Sequence, residues 1–234
     1  MKHSLVAREG WFYILVTLGV ALVVTLAGGG WWSVPAWLLF AFVLQFFRDP
    51  PRLIPSDIDV VVAPAHGKVV ALGEADDPYL KRRARRISIF MNVFSIHSNR
   101  IPMTGVVRGR WYHPGRFFNA ALDKASEQNE RNALWIHTAG GFDVVAVQIA
   151  GLIARRILCY VEKGDPVMVG ERYGFIRFGS RVDVYLPDDA TFEVKLGQWV
   201  RAGTDIIARI EPMPVVNEVV AYDIGEQPGV DDYD

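Results

Sequence analysis

Apolar and polar positions follow two different patterns along this chain. From Gly10 to Phe47 no Asp, Glu, Lys or Arg interrupts 38 residues. Two apolar runs, "WFYILVTLGVALVVTLA" (11–27) and "WWSVPAWLLFAFVLQFF" (31–47), occupy that stretch, separated by "GGG" (28–30). Each is 17 residues long, at the short end for a membrane-crossing helix. Three glycines signal a turn. Pro35 suits the first turn of a second helix, and Trp11, Trp31 and Trp32 stand at run ends, where interfacial aromatics belong. Lys2 and Arg8 precede the pair; Arg48 and Arg52 follow it. Positive flanks on both sides predict a helical hairpin, spanning or lying in the membrane, with the rest of the chain on the cytoplasmic face. Two runs without a small-residue cleavage site argue against a signal peptide.

After residue 47 the period shortens. Runs such as "IDVVVAP", "GKVVAL", "ISIFMNVF", "FDVVAVQIA" and "VDVYLP" recur about every ten residues, with Gly and Pro between them. That spacing predicts a mainly β domain over 48–234 with little helix. Only 115–132 departs from it, as polar loop or short helix. "VEKGDPVMVG" (161–170) and "VKLGQWVRAG" (194–203) share V-x-x-G-x-x-V-x-x-G at an offset of 33. Two related β-turn-β units suggest a small pseudo-symmetric barrel or sandwich, similar to a biotinyl/lipoyl-type hybrid. The Met-Lys hairpin tip of those carriers is not visible.

Composition narrows the function. A net charge of −1 gives no general attraction to nucleic acid. The basic run "KRRARR" (81–86) reads as a solvated strand edge or, beside a membrane hairpin, as a contact for anionic lipid. From Glu211 onward seven acidic residues and no basic one read as a solvated tail. One cysteine, Cys159, excludes an internal disulfide and a Cys-cluster metal site; in "ILCYV" it reads as a packing thiol.

Chemistry is left to few residues. Of five histidines, His3 is terminal and His137 lies in an alternating strand. No pair has metal-ligand spacing, so no metal is expected. His97 follows an apolar strand and precedes a polar turn, and His113 stands before Pro-Gly; each is a candidate for acid–base work or for a structural hydrogen bond.

Four segments taken together resemble the phosphatidylserine decarboxylase proenzyme family in its short form. They are "APAHGKVV" (63–70), "FMNVFSIHSNRIPMTGVV" (90–107), "YHPGRFFNAALDKASEQNERN" (112–132) and "RFGSRVDVYLP" (177–187). The resemblance implies self-cleavage between Gly179 and Ser180, giving a large subunit (1–179) and a small one (180–234). Ser180 Oγ would attack the Gly179 carbonyl and turn the amide into an ester. Elimination at the Ser180 α-carbon would then release the upstream chain as a carboxylate, and hydrolysis of the resulting dehydroalanine, with loss of ammonia, would leave a pyruvoyl group. That group, the implied cofactor, would form a Schiff base with phosphatidylserine and accept the electron pair left by CO2, yielding phosphatidylethanolamine. The family uses a histidine that His97 matches. Long-form members have a second histidine where this chain has Arg100, which leaves Arg100, with His113, as a candidate for substrate binding. His66 stands in "PAHG" where the family usually has Asp, so the negative charge of a Ser-His-Asp relay is missing. A non-catalytic, membrane-anchored lipid-binding relative therefore stays open, as does a homo-oligomer.

Overall fold

The computed structural model describes residues 5–57, 59–120, 128–152, 156–177 and 179–210. His3, most of "LDKASEQ" and the acidic tail lie outside those residues. Two helices, α1 (Trp11–Leu26) and α2 (Val34–Phe46), form the hairpin. Gly28 (φ 78°) and Gly30 (φ 44°) make the reversal, and Pro35 sits in the first turn of α2. At the open end the Ala7 N–H donates to Phe47 O (2.7 Å) and the Asp49 N–H to Leu5 O (2.8 Å). The segment Arg8–Leu26 is long and apolar enough to cross a membrane; Gly30–Phe46 is apolar but shorter. In α1 only Ile14 and Ala21 are buried, so apolar side chains face outward around most of the helix.

Fourteen strands follow among the described residues. They are β1 (Val60–Val62), β2 (Gly67–Asp77), β3 (Arg82–Met91), β4 (Ser98–Arg100), β5 (Gly105–His113), β6 (Arg131–His137) and β7 (Asp143–Ile149), then β8 (Ile157–Cys159), β9 (Pro166–Val167), β10 (Arg172–Ile176), β11 (Ser180–Leu186), β12 (Thr191–Phe192), β13 (Trp199–Val200) and β14 (Ile206–Arg209). Eight form one curled sheet in the order β13-β2-β3-β11-β7-β6-β5-β9. Two three-stranded sheets, β1-β14-β12 and β4-β10-β8, complete the domain. The main core lies inside the curl, built on Ile87, Ile89, Met91, Val182 and Val184 from β3 and β11.

The sequence echo is structural. Gly164 (φ 101°) and Gly197 (φ 84°) hold equivalent turns, their N–H groups donating to Val107 O and Val69 O at 2.8 Å each. Gly170 (φ 74°) and Gly203 (φ 70°) repeat this toward Ile101 O and Ala63 O, again at 2.8 Å. Their acceptors expose a second repeat, at an offset of 38, that pattern reading alone had missed: Pro64, Gly67 and Val69 match Pro102, Gly105 and Val107. The two segments bond reciprocally, Val62 N–H to Pro102 O (2.9 Å) and Arg100 N–H to Pro64 O (2.8 Å). A Cβ at Gly67 would collide with Phe90 O, and one at Gly105 with His137 O. Both positions need glycine for close strand approach.

The basic run is placed otherwise than a lipid contact requires. Arg82–Arg86 lie within β3, and alternate positions face opposite sides. Arg83 pairs with Glu74 (2.7 Å), Arg85 donates to Ala190 O (2.7 Å) and Arg82 donates to Asp143 O. The hairpin exit meets the turn just past the other end of β3, about 30 Å away at the usual rise per residue. The run braces the sheet.

Candidate active site

Ser180 is the residue at which the chain changes sheets. β10 ends at Ile176 in the small sheet, and β11 starts at Ser180 in the large one. Gly179 (φ 62°) makes the crossing in the left-handed region. A Cβ there would meet nothing within 4 Å, so the backbone conformation, not lack of room, calls for glycine. The Gly179 carbonyl oxygen presses against Gly151, where a Cβ would collide with it. Ser180 is 0% exposed, and its Oγ has no hydrogen-bond partner among the described residues. A buried hydroxyl without a partner is costly, which marks it as a group kept for something other than stability.

The strand that carries it is held rigidly. Ser180 pairs with Met91 on β3, and Arg181 pairs with Ile149 on β7. The alternating polar positions of "SRVDVYL" are not solvated: Arg181 and Asp183 form a buried ion pair (2.8 Å) on the opposite face, and Arg181 also donates to Ala120 O (3.0 Å).

His97 is brought to the same place. The Ile176 N–H donates to His97 O (3.2 Å), four residues before Ser180. The imidazole is 0% exposed, 4.2 Å centroid to centroid from Phe46 and 6.3 Å from Phe175. Burial among these rings holds its pKa down, to about 3, against an opposing hydrogen bond at the Ser95 backbone; Arg48 and His66 push it further down. At neutral pH it is an uncharged base. Phe46 and Phe47 are the last residues of the hairpin, and Phe47 stacks on Phe175 (5.8 Å). The hairpin thus forms one wall of the His97 site.

A row of buried amides runs across the face on which Ser180 points. Arg110 Nε donates to Asn132 Oδ1 (3.0 Å), Asn132 Nδ2 to Gln148 Oε1 (3.0 Å), and Gln148 Nε2 to Asn99 Oδ1 (2.8 Å). Arginine only donates, so each amide orientation follows from the one before. The row ends at Asn99 Nδ2, whose bonded acceptor is the soft Met91 sulfur at 3.8 Å. Met91 lies opposite Ser180 on one side of β11, and Gln148 lies opposite Val182 on the other. An amide touching both must sit over β11 between Ser180 and Val182. At the far end of the row Arg110, Tyr112, Glu130, Asn132, Arg156, Ile157 and Cys159 line a cavity of about 320 Å³. Cys159 is half-buried, packed against the core cluster around Leu134 and Tyr173 and lining that cavity as well.

The other expected residues part company. His66 is half-buried, its ring 6.3 Å from that of Trp199. Burial, then Arg52 and Arg48, lower its pKa, with Asp205 opposing. It therefore supplies no negative charge to His97. Arg100 is 5% exposed and engaged by Asp49 (2.6 Å) and the Gly170 carbonyl (3.2 Å). His113 ends β5 opposite Arg131, on the sheet face away from Ser180, with its ring 6.2 Å from Tyr79. No group of three or more metal-ligating side chains occurs among the described residues.

Comparison with known proteins adds an independent line. Residues 39–208 match the phosphatidylserine decarboxylase family. The chain is 58% identical over 208 residues to a phosphatidylserine decarboxylase proenzyme of Aromatoleum aromaticum, covering 89% of this chain and 97% of that one. It is 55% identical over 206 residues to the same-named protein of Nitrosomonas europaea (88% and 95% covered) and 54% identical over 212 residues to that of Burkholderia pseudomallei (91% and 98%).

Proposed function

The chain belongs to the phosphatidylserine decarboxylase family, and we propose that it cuts itself between Gly179 and Ser180 and then removes CO2 from phosphatidylserine at the cytoplasmic face of a membrane. The observation that carries this reading is Ser180 itself: a buried hydroxyl without a partner, directly after a left-handed glycine, at the start of a clamped strand. Those features fit the precursor of a pyruvoyl group. When present, that group supplies a carbonyl to which the substrate amine adds and an electron sink for the departing carboxylate.

The chain's own residues have defined parts. His97, neutral at physiological pH, takes the Oγ proton as Oγ bonds to the Gly179 carbonyl carbon; the C–N bond breaks and the proton passes to the freed amine. Asn99, its direction set by Gln148, Asn132 and Arg110 and its Nδ2 on the Met91 sulfur opposite Ser180, walls the side of β11 on which Oγ points. Arg181 and Asp183 keep β11 in register from the other face. Phe46 and Phe175 exclude water from His97. His66 brings no negative charge to this step, but the neutral His97 imidazole is already the form that accepts a proton. Ser180 and the residues downstream become the small subunit, the rest the large one.

Intact mass under denaturing conditions tests the reading. Wild-type protein from membranes should give two pieces, of 179 and 55 residues, the second with a blocked, carbonyl-bearing N-terminus. Ser180→Ala should stay whole and release no CO2 from phosphatidylserine. A single full-length mass from preparations that do release CO2 would rule the mechanism out. A whole chain that binds anionic vesicles without any release of CO2 would favour the non-catalytic relative.

A further inference from the structure

Arg52 lies six residues beyond the end of α2, at the exit of the hairpin. It is partly buried, and two of its guanidinium atoms, Nε and Nη2, are inaccessible and without a hydrogen-bond partner among the described residues. Its charged surroundings are mostly positive: Arg100, Arg48 and Arg201, against Asp49. Asp49 is already held by Arg100 (2.6 Å), with Arg172 at 3.6 Å. Asp205, which bears on His66, is taken by Arg201 (2.7 Å). Arg48 donates to the carbonyls of Gln45 (2.7 Å) and Phe94 (2.9 Å) and pairs with no carboxylate among the described residues. Two guanidinium charges therefore stand together uncompensated, one of them with its donors turned inward. A buried cation without a counter-ion is destabilising, and a site that keeps one is built for an anion that arrives.

The position says which anion. Arg52 follows Arg48 by four residues, and the Arg48 guanidinium reaches the Phe94 carbonyl (2.9 Å), three residues before His97; the charge of Arg52 also bears on the His66 imidazole. On the outer side, Leu53 (87% exposed) and Ile54 follow Arg52 directly with exposed apolar side chains, and Trp199, beside His66, is exposed as well. An anion bridging an apolar layer and a polar centre is a lipid headgroup.

We propose that Arg52, flanked by Arg48, binds the phosphate diester of the lipid substrate and so fixes the headgroup with its amine toward residue 180. This rests on the decarboxylase reading and names the contact that reading lacks. The phosphate is favoured over the carboxylate on physical grounds. The carboxylate must lose its charge as CO2 leaves, which a close cation would oppose. The phosphate keeps its charge throughout and needs a permanent counter-charge on the membrane side. A planar guanidinium matches two phosphate oxygens at once.

The test uses full-length protein in detergent micelles containing phosphatidylserine, with Arg52→Gln and Arg52→Lys. Intact mass first shows whether each is cut at 179/180. The expected result is cut protein in both, with KM raised at least tenfold in Arg52→Gln and kcat within about threefold of wild type, since one charge-assisted contact is lost from ground and transition state alike. Arg52→Lys should recover part of the KM. On a substrate analogue whose phosphate is methylated to a neutral triester, wild type and Arg52→Gln should become alike. An unchanged KM in Arg52→Gln overturns the proposal, and inorganic phosphate then bound by wild type alone would assign the site to the free ion. A KM effect that persists in full on the triester overturns it in favour of the carboxylate. If wild type itself is not cut, the decarboxylase reading has failed rather than this one.

Discussion

His97 couples the site to acid stability. Folding holds its pKa near 3, against 6.5 for an unhindered imidazole, because the charged form would sit among Phe46 and Phe175. Between those values the unfolded chain binds a proton that the folded chain refuses. Stability from this group is therefore present above about pH 6.5 and is lost as pH falls toward 3, by on the order of a few kcal/mol. Denaturant unfolding of His97→Phe should show a shallower loss between pH 7 and 4.5 than wild type; parallel curves would mean that His97 is not the group concerned. At this scale the sequence was informative where a motif fixed a residue. Gly179 and Ser180 stand where the chain changes sheets, and the His97 carbonyl is tied to Ile176, four residues before Ser180. Asn99, Gln148 and Asn132 carried no signal, because what aligns them is pairing among strands distant in sequence, with no local spacing to betray it. Arg52 was visible only as a positive flank of the hairpin; its unpartnered donors are a property of the folded chain.

Among the elements, glycines do two different jobs that a sequence does not separate. Gly105 lets β5 approach β6 where a Cβ would strike the His137 carbonyl. Gly151 lies past the end of β7, where a Cβ would strike the carbonyl of Gly179. Gly105→Ala should therefore destabilise the whole domain by about 1–3 kcal/mol, as overpacking does elsewhere. Gly151→Ala should instead displace the scissile carbonyl and slow cleavage at least tenfold while changing the melting temperature less than Gly105→Ala does. Time courses of fragment appearance, read beside thermal melts, check the pair; equal effects on both quantities would remove the distinction. The repeat at an offset of 33 was legible because its turns need left-handed glycines at fixed spacing. Its partner repeat at 38 was not, since two of its three matched positions are Pro in a bend and Val in a strand, where those residues are common. The basic run misled for the same reason that alternation informs: on a strand, neighbouring charges face opposite sides and find separate partners.

On the scale of the whole molecule, the hairpin and the β domain are one chemical unit. Glu9, at the foot of α1, accepts from Arg172 (2.6 Å) and from the Tyr160 hydroxyl, and Arg177 donates to the Tyr13 hydroxyl (3.0 Å). Phe46 and Phe47 close the His97 side of the site. The outward apolar face of α1 has no such task inside the protein: Val16 and Val20 are about half-exposed. An apolar helix left uncovered by its own fold needs a nonpolar surrounding. Replacing both with Arg puts charge at mid-helix, at about 2.5–3.5 kcal/mol each in a bilayer, without touching Ile14, Ala21 or the foot of the hairpin. The double variant should leave the membrane pellet for the soluble fraction, still be cut at 179/180, and turn over micellar phosphatidylserine, because the walls of the site stay in place. Retention in the pellet after a carbonate wash would mean that α1 is not the anchor and that the domain surface near Leu53 and Trp199 holds the membrane unaided. Loss of the cut along with release would mean that the bilayer, and not only Phe46 and Phe47, shapes the site around His97.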